Sequence, residues 1–193
     1  SRPLAHQPEP EWRLSDVGAE QALGLAGVLR LLGVQRVYTS PYQRCRDTLA
    51  PFAAAHGLEA VVHEGLRERR VSKERVMDFR EWWVRSWADF CYALEGGECS
   101  WTCRKRIVAA VDAIARQHPG ETLALGSHGN AIALFLHSVD AAYGIAQASA
   151  LRTPEIVKVV RRDDGFTWER TFTAGAEFER LATDFRLTPG IVA

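Results

Sequence analysis

The feature that most constrains the fold is the alternation of short apolar runs with segments of helical spacing. The apolar runs at residues 35–40, 60–64 and 122–127 have the length and composition of buried strands. Between them, apolar residues recur every three or four positions, as on one face of a helix. This order predicts an α/β fold with a mostly parallel sheet.

The helices carry start and stop signals. Ser15 and Asp16 can cap a helix whose apolar face continues to Leu32, with Gly33 as its stop. A second helix is predicted over 41–57, with Pro41 in its first turn. Further helices are expected at roughly 76–94, 100–117 and 130–143.

The end of the pattern is a hairpin, and the chain as a whole predicts one domain. Residues 155–162 and 166–173 flank Asp163-Asp164-Gly165, which favours an antiparallel pair at the edge of the sheet. A chain of 193 residues suits a single core, so we expect one domain over 1–193. Within it, 69–98 is expected to be a helical lid or insertion.

The charge balance is neutral, which bears on partners. The chain has 24 Lys and Arg against 24 Asp and Glu, so nothing favours nucleic acid or an anionic membrane. No apolar run approaches the roughly 20 residues of a membrane span, and residues 1–10 do not have the pattern of a signal peptide. We therefore expect a cytoplasmic protein, with its oligomeric state left open.

The four cysteines do not predict a disulfide framework or a metal centre. Cys99 and Cys103 lie one helical turn apart and could be combined with His118. However, the short paired spacings of structural zinc sites are missing, so reduced structural thiols are favoured. No metal or other cofactor is predicted.

Residues 79–94 contain three tryptophans, Trp82, Trp83 and Trp87, which allow two interpretations. A row of indoles could stack on bases or sugars. Because these residues and Phe79 follow helical spacing, packing against the core is the favoured interpretation.

Three polar residues follow the three predicted strands. Arg44 follows the first, Glu68 the second and His128 the third. Since ligands bind at the carboxyl ends of strands in open α/β sheets, these side chains are expected to share one rim. Taken singly, each has an ordinary alternative: a surface charge for Arg44, an exposed charge run for Glu68 and a satisfied structural histidine for His128.

His128 lies where the third strand passes into a helix. Gly126 and Gly129 allow a tight backbone there, and the first N–H groups of the helix suit an anion. Together with a donor fork from Arg44 and a proton from Glu68, this pattern favours a phosphate site.

Several segments resemble the histidine phosphatase superfamily, which has the phosphoglycerate-mutase-like fold. They are LSDVGAEQA (14–22), YTSPYQRCRDT (38–48), LRER (66–69) and GSHGN (126–130), and GGECSWTCRKR (96–106) is similar to a further element with Cys99 in place of a serine. The most specific are Ser40 to Thr48 and Ser127 to Gly129. The resemblance covers about 5–160 and implies a three-layer α/β/α sandwich.

The resemblance implies a metal-independent phosphomonoesterase that acts through a phosphohistidine. Arg44, His128 and Gly129 would bind the phosphoryl group, and Glu68 would protonate the leaving group. For Glu68 to be protonated near neutral pH its pKa must be raised, which phosphate oxygens favour and Arg67 and Arg69 oppose. The partner would be a small phosphorylated substrate.

The family's nucleophile, a histidine in an Arg-His-Gly element, does not occur in this sequence. His6 is the one early histidine, and no apolar strand precedes it. We therefore expect the nucleophile upstream of residue 1. The alternative is an inactive phosphoester-binding or regulatory module.

A mutase is the third possibility. In mutases of the family the acid is followed by His-Tyr-Gly, whereas Glu68 is followed by Arg69, Arg70 and Val71. The common phosphatase pattern after the acid is also missing, which leaves the substrate open. The basic residues of 67–75 could bind further anionic groups or form a solvated charge run.

Overall fold

The computed structural model of the chain describes residues 9–74 and 76–169. Its helices and strands follow the predicted order. The helices are α1 (Asp16–Leu31), α2 (Gln43–Ala55), α3 (Phe79–Ala88), α4 (Ser100–Gln117), α5 (Gly129–Val139) and α6 (Ile145–Ala150). The strands are β1 (Arg36–Thr39), β2 (Ala60–Val62), β3 (Leu123–Gly126), β4 (Val159–Arg162) and β5 (Gly165–Trp168).

The main sheet is parallel and has the order β2-β1-β3. Val37 at its centre is in register with Ala60 on one side and Ala124 on the other. The antiparallel pair β4-β5 forms a two-stranded sheet of its own. All three strands of the main sheet therefore end at the same rim, as the sequence predicts.

Two adjacent residues of β1 show how the layers are built. Val37 is 1% exposed and packs in a cluster with Leu29, Leu49 and Phe52 of helices α1 and α2. Tyr38 points to the opposite face, as the next residue of a strand must, and joins the larger cluster formed with α4 and α5. Helices thus cover both faces of the sheet, which confirms the three-layer α/β/α fold.

The helix starts follow local capping. Ser15 caps α1 by accepting a hydrogen bond from the N–H of Gly18, and Gly33, with φ +68°, follows its end. The prediction for α2 is wrong by two residues at its start: Tyr42 is the N-cap, and Pro41 precedes the helix. The bounds of α4 agree with the prediction.

Two predicted helices are shorter than expected. The helix predicted over 76–94 covers only 79–88, because Asp78 caps its start and Asp89 is extended with φ −130°. The helix predicted over 130–143 stops at Val139, because Asp140 is extended, and α6 follows as a separate element. The second hairpin strand ends at Trp168, and residues 170–173 of its prediction lie outside the described residues.

The tryptophans of α3 pack. Trp82 is 2% exposed, and Trp83 and Trp87 are half-buried against the larger cluster. Phe79 is the exception, since it is 53% exposed. The face that packs on the core therefore begins at Trp82.

Strand β3 has one unpaired edge. It pairs with β1, and within residues 9–74 and 76–169 no strand pairs with its other side. None of the described helices has the length and apolarity that a bilayer crossing requires.

Candidate active site

His128 connects two strand ends. It is the N-cap residue of α5, two residues after the end of β3, and it is 6% exposed. Its Nε2 lies 2.7 Å from Oγ of Ser40, the fully buried residue that follows β1. Ser40 also accepts a hydrogen bond of 3.2 Å from the N–H of Tyr42. The carboxyl-terminal ends of β1 and β3 are therefore joined by a hydrogen bond of the His128 imidazole.

The imidazole of His128 is neutral at physiological pH. Burial lowers its pKa to about 3, and the positive charges of Arg44 and Arg106 add to this effect. A neutral imidazole carries one N–H and one acceptor nitrogen. His128 can therefore donate one hydrogen bond to an anion, or take up a proton when an anion arrives.

Arg44 lies in the first turn of α2, beside two aromatic rings. Its guanidinium carbon is 5.0 Å from the ring centroid of Tyr42 and 5.9 Å from that of Trp12. The Tyr42 ring also meets the His128 ring edge-on, with centroids 4.9 Å apart. Tyr42 thus contacts both Arg44 and His128, which brings these two predicted site residues together.

Arg44 is paired with a carboxylate in this structure. Its Nη2 donates to Oε1 of Glu9 at 2.8 Å, and its Nη1 donates to the Glu9 carbonyl at 3.1 Å. Glu9 belongs to a short 3-10 helix, Glu9–Glu11. No local sequence pattern indicates this contact, because the two residues lie far apart along the chain.

Glu68 occupies the N-terminus of α5. Its Oε1 accepts from the N–H of Arg69 at 2.7 Å and of Ala131 at 3.2 Å, and its Oε2 accepts from Asn130 at 3.4 Å. The group that binds the first N–H groups of this helix is therefore a carboxyl group of the chain itself. Glu68 and His128 share this helix start.

The pKa of Glu68 is raised. The carboxyl group is buried, which favours its neutral form, and this effect outweighs the three N–H donors that favour the anion. The sequence raised the question of whether phosphate or the neighbouring arginines decide the protonation of Glu68. In the structure burial decides it, and the direction is the one that a proton donor requires.

The two glycines around His128 have different surroundings. A Cβ on Gly126 would lie 2.7 Å from Cδ1 of Leu49 and 2.9 Å from Sγ of Cys45, so the packing of α2 on β3 requires glycine there. A Cβ on Gly129 would meet nothing within 4 Å. The space beside Gly129 is open, and its role in binding phosphate stays a prediction.

A buried ion cluster supports the segment that carries Glu68. Glu98 is 8% exposed, and Arg106 donates to both of its carboxylate oxygens, at 2.9 and 2.7 Å. Arg67 adds two longer bonds, at 3.0 and 3.4 Å. Because of these two partners, the pKa of Glu98 is lowered although its burial acts in the opposite direction.

Arg106 also binds the backbone around Glu68. Its Nη1 donates to the carbonyls of Gly65 and Arg67, both at 2.9 Å. Arg106 therefore links α4 to the chain just before Glu68. The segment GGECSWTCRKR contains both Arg104 and Arg106, and its sequence does not show which of the two arginines makes this link.

The basic run at 67–75 was open to two interpretations, anion recognition or solvation, and two of its members follow neither. Arg67 is paired with Glu98, and Arg69 is 1% exposed with its guanidinium 4.7 Å from the Trp82 ring centroid. Arg67 is therefore held in an ion pair, and Arg69 is buried in the fold.

The residues weighed as metal ligands lie apart. Cys99 and Cys103 are at the start of α4, and His118 follows its end, where its Nε2 lies 2.8 Å from the Tyr38 hydroxyl. Among the described residues, no three His, Cys, Asp or Glu side chains are grouped so as to hold a metal ion. His6 lies outside the described residues.

Comparison with family models matches residues 3–173 to the histidine phosphatase superfamily (branch 1). Comparison with curated protein sequences gives no match. Among solved structures, a mycobacterial glucosyl-3-phosphoglycerate phosphatase in complex with VO3 is 20% identical, with a TM-score of 0.71 over 84% of this chain and 88% of that chain.

Two further structures are similar. The phosphoserine phosphatase mutant from Entamoeba histolytica, in complex with phosphoserine, is 18% identical, with a TM-score of 0.72 and 89% of each chain covered. Bacillus stearothermophilus YhfR is 18% identical, with a TM-score of 0.66 over 82% of this chain and 84% of that chain. At these identities the likeness concerns the fold.

Proposed function

The chain belongs to the histidine phosphatase superfamily (branch 1), and we propose that it hydrolyses small phosphomonoesters through a phosphohistidine intermediate. The observation that carries the proposal is the meeting of three side chains at one rim of the sheet. Arg44 and His128 are linked by the Tyr42 ring, and Glu68 lies at the helix start that follows His128.

The roles follow from the charges of these groups. Arg44 supplies a permanent cation with several N–H donors for the phosphoryl oxygens. His128, held neutral, supplies a further hydrogen bond and can gain a proton as negative charge builds up on those oxygens. Glu68, whose pKa is raised, supplies a proton.

The proposed reaction has two steps and needs no metal. A histidine nitrogen attacks phosphorus, the bond from phosphorus to the ester oxygen breaks, and Glu68 gives its proton to that oxygen, which leaves as an alcohol. Water then attacks the phosphohistidine, Glu68 takes its proton, and the phosphorus-to-nitrogen bond breaks. The products are the alcohol and inorganic phosphate.

We place the attacking histidine on a strand upstream of Ser1. The support is that β3, which ends close to His128, has no strand partner on one side within the described part of the chain and could accept a further parallel strand there. A strand added there would also end at the rim where the three side chains meet.

A second candidate is a phosphoester-binding module without turnover. It is favoured by one observation. Among the described histidines, His128 is the one that lies at the site with Arg44 and Glu68, and the proposal already uses it as a ligand of the phosphoryl group. No second histidine of the described residues is therefore left at the site to act as the nucleophile. His63, at the end of β2, accepts the N–H of Gly65 with its Nδ1.

The deciding experiment is hydrolysis of p-nitrophenyl phosphate, with and without EDTA. It should compare the 193-residue protein with the protein expressed from its complete reading frame. We expect activity in the latter, unaffected by EDTA, and an acid-labile phosphoenzyme in rapid-quench samples. Binding of phosphate without turnover in either protein would support the module instead, and stimulation by a bisphosphorylated primer would indicate a mutase.

We propose a small phosphorylated metabolite in the cytoplasm, with residues 69–98 acting as a lid. Within this segment, the buried side chains of Arg69 and Trp82 pack against each other. A movement of the proposed lid would therefore carry both residues together.

A further inference from the structure

Glu9 is a residue of the site that the proposed chemistry does not use. It supplies two acceptors to Arg44, the side-chain oxygen at 2.8 Å and the backbone carbonyl at 3.1 Å. The side chain of Arg44 is 18% exposed and that of Glu9 is 38% exposed. The ion pair is therefore partly shielded from water, and its less buried member is Glu9.

The surroundings of Arg44 leave little choice of where an anion can bind. Trp12 and Tyr42 lie over the guanidinium, and a guanidinium binds anions with the N–H groups at its edge. Glu9 uses N–H groups of both terminal nitrogens. A phosphoryl group that needs the same nitrogens must share them with a carboxylate or displace it.

Sharing is unfavourable because both groups are negative. The charge of Glu9 already extends into the site: burial is the main reason for the raised pKa of Glu68, and the negative charge of Glu9 adds to it. A phosphate dianion bound to Arg44 would be repelled by the negative charge of Glu9.

We propose that Glu9 competes with the phosphoryl group for Arg44 and thereby sets the affinity of the site for phosphate. This inference rests on the proposed function, because it takes Arg44 as a phosphate ligand. It makes Glu9 an affinity-determining residue of the site, and a substrate must contribute enough binding elsewhere to displace its carboxylate.

The chain offers a matched control. Glu11 has the same charge, lies in the same 3-10 helix and is exposed, and the side-chain bonds of Arg44 go to Glu9. Glu11→Gln therefore removes one negative charge near the site and leaves the pair intact. Glu9→Gln keeps the shape of the side chain and removes the charge that competes.

The test is titration with inorganic phosphate, by calorimetry at low salt. We expect Glu9→Gln to bind phosphate about three- to tenfold more tightly than the wild type, and Glu11→Gln to stay within about twofold. The gain should disappear in the double variant Glu9→Gln with Arg44→Met. Circular dichroism of each variant checks the fold.

Two other results would count against the inference, and they can be told apart. Unchanged or weaker binding in Glu9→Gln, with wild-type binding that Arg44→Met abolishes, would overturn the competition and leave the proposed function standing. If neither the wild type nor Glu9→Gln binds phosphate in a way that Arg44→Met removes, the proposed function fails and this inference fails with it.

Discussion

Nε2 of His128 and Oγ of Ser40 lie 2.7 Å apart, although the two residues are 88 positions apart in sequence. Both are buried, so neither group can replace this partner with bulk water. The bond joins the ends of two strands next to the Tyr42 ring, which contacts Arg44, and next to the helix start that binds Glu68.

Removal of the Ser40 hydroxyl should weaken both the fold and the site. In Ser40→Ala the buried Nε2 loses its partner, so we expect a loss of about 1–3 kcal/mol in the free energy of unfolding and weaker phosphate binding. Denaturant unfolding and phosphate titration measure the two effects. Ser138→Ala is the control, because Ser138 lies on α5 and bonds to the Phe135 carbonyl. Equal effects in the two variants would mean that the hydroxyl of Ser40 has no special role.

His128 should make the protein less stable as the pH falls. In the unfolded chain its imidazole takes up a proton near its ordinary pKa of 6.5, whereas in the folded protein it does so only near about 3. Between these values the unfolded state binds more protons, so the free energy of unfolding falls by up to about 1.4 kcal/mol for each pH unit of acidification.

This pH dependence can be isolated with His128→Gln. We expect the wild type to lose stability relative to the variant between pH 6.5 and 4, measured by denaturant unfolding at each pH. The raised pKa of Glu68 acts in the opposite direction, because its protonated form is favoured in the folded state, but it is present in both proteins and cancels in the difference. Parallel stability curves would contradict a buried neutral His128.

Removal of one member of the Glu98 cluster should be strongly destabilising, because it leaves the remaining charges without their partner. Glu98→Gln leaves the half-buried Arg106 without its charged partner, so we expect a loss of up to about 3–5 kcal/mol in the free energy of unfolding. Glu121→Gln is the control, because it breaks the exposed pair with Arg36 and should have a much smaller effect on the free energy of unfolding. Similar losses in the two variants would show that burial of the cluster has little energetic effect.

The role of Glu68 as an acid predicts a dependence on the leaving group. In the protein expressed from its complete reading frame, Glu68→Gln should lower kcat for alkyl phosphates by about 10²–10⁴-fold. The loss should be smaller for p-nitrophenyl phosphate, because p-nitrophenolate leaves without needing a proton. Steady-state kinetics with both substrates measures this difference, and equal losses would speak against proton donation by Glu68.

The parts of the fold that depend on nearest neighbours along the chain could be predicted. Helix α4 has the predicted bounds, and Ser15 caps α1 as expected, because capping and helical spacing are local properties. The shared rim of Arg44, Glu68 and His128 could also be predicted, because parallel strands end on one side. The break at Asp140 was missed, since the apolar spacing continues beyond it.

The parts that depend on contacts between distant segments could not be predicted. Glu98 binds Arg67 across 31 positions, and Arg44 binds Glu9 across 35, and neither spacing has a local signature. The direction in which the pKa of Glu68 is shifted depends on how deeply its carboxyl group is buried, and this burial also follows from tertiary packing. The separate β4-β5 sheet likewise depends on which strand edges meet.

One side of β3 has no strand partner among residues 9–74 and 76–169, and this has a consequence for handling the protein. A row of backbone N–H and C=O groups without strand partners is a template on which another chain can align. We expect concentrated solutions of the 193-residue protein to self-associate through this edge, with a tendency that rises steeply with concentration. A strand of the same molecule and a strand of another molecule would then compete for the same backbone hydrogen-bonding groups of β3. Pairing within the molecule would lead to correct folding, and pairing between molecules would lead to aggregation.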